Sequence, residues 1–566
     1  MPEIAAAIRQ RTDPTDRVGH AGLVFVLVVL ILFLAAPLAA VLLQSVEDRS
    51  GDFVALDNFA TYLKTPALAQ SLWNSIWVAA VVTALTLPAA FLFAYALTRS
   101  CMPFRGAFRT LALTPLLAPS LLAAISLIYW FGNQGVLKAL MQALGIASVY
   151  GAFGIIVSEM FAVFPHALMI LITALTLADA RLYEAADALG TTAARKFFTI
   201  TLPGAKYGLI SAALVTFTLV ITDFGIPKVI GGDFNVLATD IFKLVIGQQD
   251  FQRGAVVAMF LLAPALITFV VDRLVQRKQT SMLTARAVPY SPRPARGFDL
   301  AMTGYCALVA LLMLAVFGMA LYASFVKFWP YDLSFSLRHY AFGLVDAEVD
   351  TAFFNSLKLA LGTAIGGTAL VFVGSYLVEK ARGVDWLRPG VQLLALLPMA
   401  VPGLVLGLGY IFFFNAPDNP LNALYHTMTL LVLCTIVHFY TTGHLTAVTA
   451  LKALDAEFEA VSASLKVPFY RTFWRVTLPI CTPALLDISR YFFINAMTTI
   501  SAVVFLYSPD TKVASIAILN LDEAGEPGPA AAMAVLIAAT SLAACIVYLG
   551  LGWLVDRKTQ KWRNLK

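Results

Sequence analysis

Runs of about 20 mostly apolar residues, each long enough to cross a bilayer as a helix, recur twelve times along the chain. They centre near residues 33, 86, 119, 164, 215, 262, 312, 368, 402, 438, 495 and 541. The pattern predicts an all-α polytopic membrane protein with 12 transmembrane helices. Pro115 and Pro119 interrupt the third run, and Pro398 and Pro402 the ninth. Those two spans are expected to kink or break, either as hinges or as static bends. The halves echo one another: Asn74-Ser75 recurs as Asn355-Ser356, and the two proline pairs correspond, at an offset of about 280 residues. Six spans per half make this a parallel repeat. The expected domains are residues 1–275 and 301–566. Between them, 276–300 reads as a polar, basic linker, partly extended, with Pro289, Pro292 and Pro294.

Charge orients the chain. Counting alternate loops and the termini, 28 of the 39 Lys and Arg residues fall on one side. Basic loops stay in the cytoplasm, so both termini are expected there, in a bacterial inner membrane. The loops of the other side are comparatively acidic, with Glu47, Asp48, Asp52 and Asp57 early and Asp510, Asp522, Glu523 and Glu526 late. Composition agrees, at 60% hydrophobic and 13% charged over 566 residues, about half the charge of a soluble protein. The net charge of +6 is spread over short loops and not gathered into a nucleic-acid-binding patch. Cys101, Cys306, Cys434, Cys481 and Cys545 are far apart and read as small packing residues. The first apolar run, from Ala21, is too long for a cleaved signal and reads as a retained span.

Polar groups inside apolar spans are costly, and so are functional candidates. They are Glu159 in the fourth span, Thr222, Asp223 and Lys228 at the outer end of the fifth, and Asp487, Arg490, Asn495, Thr498 and Thr499 in the eleventh. The fifth and eleventh spans correspond in the repeat, so these side chains could converge on a translocation path. Alternatively, Asp223 and Lys228 sit at the water interface, and Asp487 and Arg490, three apart, pair with each other. No Gly-x-x-x-x-Gly-Lys-Ser/Thr pattern occurs, nor any His/Cys metal-ligand spacing. His166, His438 and His444 read as isolated core or interfacial residues.

One loop appears twice. The first copy runs Glu184-Ala185-Ala186-Asp187-Ala188-Leu189-Gly190 and closes on Leu202-Pro203. Asp179 can cap a short helix through Leu189, and Gly190 can end it in the left-handed conformation. A second short helix should carry Phe197 and Ile200 on one face, and Pro203 suits the first turn of the next span. Ala185 and Ala186 leave room for another backbone. The second copy starts Glu459-Ala460-Val461 and closes on Leu478-Pro479, one residue longer. Counted back from the closing proline, Lys466 stands where Gly190 stands, and Pro468 is expected to terminate the helix. A rigid, small-residue knuckle between two spans suits docking better than catalysis.

This motif, over 179–203 and 455–479, resembles the coupling loop of ABC importer permeases. The whole chain resembles the fused permeases of type I importers, two permease domains in one polypeptide. The resemblance implies a non-catalytic subunit that binds no cofactor of its own. Two copies of a cytoplasmic ABC ATPase, carrying ATP and Mg, would seat on the loops, and a periplasmic solute-binding protein would deliver cargo for alternating access. Within that group several stretches look most like 2-aminoethylphosphonate permeases. They are Asp223-Phe-Gly-Ile-Pro-Lys-Val-Ile-Gly-Gly232, Leu237-Ala-Thr-Asp240, Gly247-Gln-Gln249, Ala463-Ser-Leu-Lys-Val-Pro468, Tyr491-Phe-Phe-Ile-Asn-Ala-Met-Thr-Thr499 and Tyr507-Ser-Pro-Asp510. Ferric iron or thiamine import is the alternative. An ion-coupled secondary transporter is a distant one, since Glu159 is the one clear mid-span acid and the duplicated loop would go unexplained.

Overall fold

The computed structural model describes residues 16–282, 288, 290–341, 347–381, 386–455, 457–465 and 467–559. The first half comprises α1 (Arg17–Val46), α2 (Pro66–Arg99), a bent pair α3 (Arg105–Leu117) and α4 (Leu121–Phe131), and α5 (Ala152–Thr176). A short α6 (Ala180–Ala188) leads to α7 (Ala193–Thr222), the small helices α8 (Gly225–Ile230) and α9 (Leu237–Phe242), and α10 (Phe251–Met282). The second half opens with α11 (Arg296–Phe325) and continues with α12 (Ala347–Lys380) and a bent pair α13 (Arg388–Ala400) and α14 (Gly403–Phe414). It ends with α15 (Met428–His438), α16 (Tyr440–Lys452), α17 (Glu457–Ser464), α18 (Thr482–Thr498), α19 (Ala514–Glu523) and α20 (Pro527–Thr559).

Among the described residues, eight helices are long and apolar enough to cross a membrane, or up to eleven if each bent pair is one span. The expected twelve is not reached, because the eleventh segment, α18, has 17 residues and is broken from the preceding turns at Cys481. The proline pairs do break their spans, by 102° between α3 and α4 and by 115° between α13 and α14. A two-stranded antiparallel hairpin, β1 (Val326–Phe328) with β2 (Asp332–Phe335), departs from the all-helical expectation. α10 runs on to Met282, seven residues into the stretch expected as linker, and α11 already begins at Arg296. Residues 283–287 and 289, including Pro289, lie outside the described residues.

The repeat is visible in hydrogen bonds. Ser75 Oγ accepts the Leu237 N–H at 2.8 Å, and Ser356 Oγ accepts that of Ala514 at 2.7 Å. Asn74 Nδ2 donates to the Asn235 carbonyl, while Asn355 Nδ2 donates to the carbonyls of Asp510 and Lys512. Each Asn-Ser pair thus serves the backbone that enters α9 or α19, whose first N–H groups lack helical partners.

Each half's opening helix packs on the other half. Tyr410 of α14 donates to the Phe33 carbonyl of α1 at 2.8 Å. That carbonyl is free because Pro37, four residues on, has no N–H to offer, and the helix widens into a π turn over Ile31–Ala35. A Cβ at Gly409 would lie 2.6 Å from the Pro37 carbonyl, so the approach needs glycine. Reciprocally, Ser126 and Trp130 of α4 donate to the carbonyls of Val316 and Ala315 on α11, and Tyr305 of α11 donates to Ala89 of α2.

Candidate functional site

The first loop is built as its residues suggest. Asp179 Oδ1 accepts the Arg181 N–H at 3.1 Å and caps α6. Gly190 sits at φ +67, and the Thr191 N–H returns to the Ala186 carbonyl at 2.9 Å, closing the helix. Ala186 is buried, whereas Glu184 and Ala185 are exposed. Lys196 Nζ lies 2.5 Å from Asp187 Oδ1, and this hydrogen bond, more than the nearby charges, holds the Asp187 carboxyl below its usual range.

The expected second short helix and fresh start at Pro203 are one continuous helix. A π turn over Phe197–Thr201 joins Ala193–Lys196 to Leu202–Thr222, and the Leu202 N–H reaches back to the Phe197 carbonyl. The widened turn makes room where the Pro203 ring would clash with the preceding coil. The same device precedes Pro479: a π turn over Phe473–Thr477, with Leu478 N–H bonded to the Phe473 carbonyl. Both turns rest on matching rings. Phe197 meets Phe91 and Tyr95 at 6.0 and 5.6 Å; Phe473 meets Phe372 and Tyr376 at 6.0 and 4.7 Å.

In the second loop the Val467 N–H returns to the Ser462 carbonyl, as Thr191 does to Ala186. Counted from these bonds, Ala460 and not Glu459 occupies the position of Glu184. Lys466 lies outside the described residues. Pro468 does not terminate α17, which ends at Ser464; it precedes the next helix, Phe469–Thr472, as its N-cap.

Unanticipated from the sequence, these loops leave apolar side chains in the open. Leu182, Leu189 and Phe198 are 59%, 83% and 65% exposed; Phe458, Leu465 and Trp474, each 276 positions on, are 45%, 70% and 64% exposed. Duplicated apolar patches on two otherwise polar knuckles mark interaction surfaces. The constant offset was the signal available in the sequence.

Within the bundle, a cavity of about 170 Å3 is lined by Pro115, Pro119, Ser120, Glu159, His166, Asp223, Asn495 and Thr498, among others. The structure therefore brings four of the nine expected polar candidates together: Glu159, Asp223, Asn495 and Thr498. Glu159 is 1% exposed, and its Oε1 atom has no hydrogen-bond partner. Its carboxyl group lies within hydrogen-bonding reach of the Asp223 carboxyl. Asp223 Oδ2 also accepts the Ile226 N–H at 2.9 Å, and Ser120 Oγ donates to Asp223 Oδ1 at 3.5 Å. Asn495 and Thr498 donate to their own helix, at the carbonyls of Tyr491 and Ile494.

The other five candidates are engaged elsewhere. Lys228 pairs with Glu523 at 2.6 Å and lies over the Phe242 ring. Arg490 pairs with Asp487 at 2.9 Å, the local alternative allowed by their spacing. Thr222 donates to the Thr218 carbonyl, and the Thr499 carbonyl accepts from Ser515. Ser120 and His166 join the lining unforeseen. Ser120 follows Pro119 at the break between α3 and α4, while His166 lies seven residues, about two turns, from Glu159 on α5. Among the described residues, no group of three or more His, Cys, Asp or Glu side chains could hold a metal ion.

This architecture of two six-span-like repeats with paired knuckles defines a membrane permease, and the comparison with known families is direct. The family described as binding-protein-dependent transport system inner membrane component matches residues 86–282 and 371–561. Those matches cover more than half of the chain, so it belongs to that family. It is a multi-pass inner-membrane permease component of an ABC transporter, without catalytic activity of its own; ATP hydrolysis belongs to partner subunits. The chain is 26% identical to a ferric transport system permease protein of Actinobacillus pleuropneumoniae, over 95% of this chain and 79% of the relative. A probable ABC transporter permease of Sinorhizobium fredii is 25% identical over 95% of this chain and 97% of its own length. A spermidine/putrescine transport system permease of Haemophilus influenzae is 25% identical over 44% of this chain.

Proposed function

We propose that the chain is the fused permease of a type I ABC importer and moves a positively charged cargo, ferric iron being the best candidate, from periplasm to cytoplasm. Both termini and the 179–203 and 455–479 loops face the cytoplasm in this reading, as the basic loops favour. Two ATPase copies seat on the Leu182/Leu189/Phe198 and Phe458/Leu465/Trp474 patches, holding ATP and Mg, and a periplasmic binding protein delivers cargo to the opposite end. Nucleotide-driven approach of the ATPases pushes the loops together and rocks the halves into an outward-open state.

The observation that carries the cargo class is the charge of the cavity lining. Glu159 and Asp223 face each other there, while Lys228 and Arg490 are held by Glu523 and Asp487. Two carboxylates in contact repel unless a proton or cation lies between them. Such a pair can exchange its proton for a transiting cation, whereas an anion meets no Lys or Arg among the described lining residues. Hard ferric iron prefers such oxygen groups over the thioether and thiol alternatives, and the ferric transport relatives point the same way.

The stretches resembling 2-aminoethylphosphonate permeases support a second reading. The amine of that zwitterion suits Glu159 and Asp223, but its phosphonate would need Lys228 or Arg490 to leave their partners. Whole-cell uptake of labelled ferric iron and of labelled 2-aminoethylphosphonate, with the chain deleted and restored, separates them. Iron uptake that returns with the chain supports the first reading. Return of phosphonate uptake alone overturns it and leaves the permease role standing.

A further inference from the structure

The two loops are not built alike. Val288 and residues 290–299, part of the stretch that joins the halves, are laced onto the first one. The Ala180 N–H donates to the Val288 carbonyl at 2.9 Å, and the Val288 N–H returns to Asp179 Oδ1 at 3.4 Å. Tyr290 packs on Tyr183 of α6 with ring centroids 4.6 Å apart. Arg293 lies 3.8 Å from Asp187, and the Pro292 carbonyl accepts from Cys101 Sγ. Asp299 then fixes the far end, accepting from the backbone of Cys101 at 2.7 Å and of Ala295 at 2.9 Å.

Arg99 is the centre of this arrangement. It is 7% exposed at the end of α2, and donates to the Leu175 carbonyl at the end of α5 at 2.8 Å. Its guanidinium lies 4.5 Å from the Tyr290 ring centroid and 5.2 Å from that of Tyr183. A cation kept from water is held by such ring faces. One side chain thereby ties two spans, the loop helix and the joining segment. Counted by the repeat, Lys380 stands where Arg99 does and Glu459 where Tyr183 does. The second loop has no counterpart of Tyr290, since only one segment joins the halves.

We infer that Val288 and residues 290–299 form a strap that positions the first coupling loop, with Tyr290 as its positioning residue. The strap makes α6 move as one body with α2 and α5, so a push on α6 reaches the spans without loss. It also makes the two loops mechanically unequal: the first is braced by the strap, whereas among the described residues the second lies against Gly19 of α1 at Phe469. The inference rests on the coupling role proposed for 179–203.

The test uses the full importer, with its ATPase and binding protein, in proteoliposomes, reading ATP hydrolysed per cargo imported. The probe is labelled ferric iron, or labelled 2-aminoethylphosphonate if cells take up that compound. Tyr290→Leu keeps bulk but removes the ring, and should raise the ratio several-fold. Tyr290→Phe keeps the ring and should restore it. Arg293→Ala, at an exposed position, should raise it less. Glu184→Lys serves as the benchmark for the loop itself. A normal ratio in Tyr290→Leu beside an uncoupled Glu184→Lys overturns the strap and leaves the loop reading intact. Normal ratios in both overturn both. Equal defects in Tyr290→Leu and Tyr290→Phe overturn the ring contact as the cause. If Tyr290→Leu does not reach the membrane, Arg293→Ala decides: a raised ratio supports the strap and an unchanged one overturns it.

Discussion

Lys228 Nζ and Glu523 Oε1 lie 2.6 Å apart and join the two halves at the end of the bundle opposite the duplicated loops. The same lysine lies over Phe242, whose ring meets Phe224 of its own half and Phe505 of the other at 5.2 and 6.2 Å. Together they tie the two halves at that end, with Phe224 next in sequence to Asp223 of the cavity. If the halves rock apart there, this pair must break.

Glu523→Gln should therefore ease outward opening. The pair is partly exposed, with side chains 19% and 48% accessible, so screening limits its worth to about 1 kcal/mol, roughly a five-fold shift in the opening equilibrium. Thiol labelling of a Ser120→Cys variant from the periplasmic side should speed up by about that factor. No change would mean that the aromatic contact alone holds the end closed.

Glu159→Gln keeps the shape of the cavity and removes one of its two facing carboxyl groups. For a cationic cargo, uptake should fall about ten-fold or more, since one lost charge-assisted contact is worth about 1.5–3 kcal/mol. ATP hydrolysis should persist, because Glu159 lies about five turns of α5 away from the first loop and lines the cavity, not the knuckle. Asp223→Ala should also lose stability, since it removes the acceptor of the Ile226 N–H at a cost of about 1 kcal/mol. Comparing thermal unfolding of the two variants in detergent distinguishes the cargo effect from the capping effect.

The Asn-Ser pairs differ in what they carry. Asn355 serves two carbonyls, and Asn74 one. Asn355→Ala should cost about 2–3 kcal/mol, against about 1–2 kcal/mol for Asn74→Ala, by the usual cost of buried groups left unpaired. The order of the two melting temperatures checks this. Equal values would mean that water replaces the side chain at one site.

Beside Glu523, burial pushes the Asp522 carboxyl up to about 6, helped by the Glu523 charge and opposed by Lys228. An unfolded Asp titrates near 3.9, so between about pH 4 and 6 the folded protein binds more protons. Stability should then fall as pH rises through that window and level off above it. Asp522→Asn should flatten this part of a melting temperature against pH curve. An unchanged slope would assign it to another group.

The twelve apolar runs and the duplicated motif made most of the fold legible, because lipid demands long apolar helices whatever their packing. The proline breaks were equally readable. The number of whole spans was not, since hydropathy counts α18 and the bent pairs as segments without knowing their angles. In the cavity, Glu159, Asp223, Asn495 and Thr498 were foreseen from polarity at span depth. Lys228 and Arg490 were not separable from them, because their partners Glu523 and Asp487 are settled by packing. Lys228 finds a partner nearly 300 positions away. The π turns before Pro203 and Pro479 were hidden as well, since proline tolerates either a helix start or a widened turn. Gly190 was readable because its left-handed backbone leaves few residues to choose from; its site has open space, so Gly190→Ala should cost only the backbone penalty of about 1–2 kcal/mol.

The central claim is that the duplicated knuckles carry force from ATPase to spans. The most direct measurement compares ATP hydrolysis and cargo uptake in proteoliposomes holding the complete importer, with Glu184→Lys and with the Leu189→Ser, Leu465→Ser double variant. Glu184 is exposed on α6, and both leucines head the apolar patches. Uptake should collapse in both variants while the permease stays in the membrane. Hydrolysis should become independent of cargo-loaded binding protein. Uptake at the wild-type rate in both would contradict that claim.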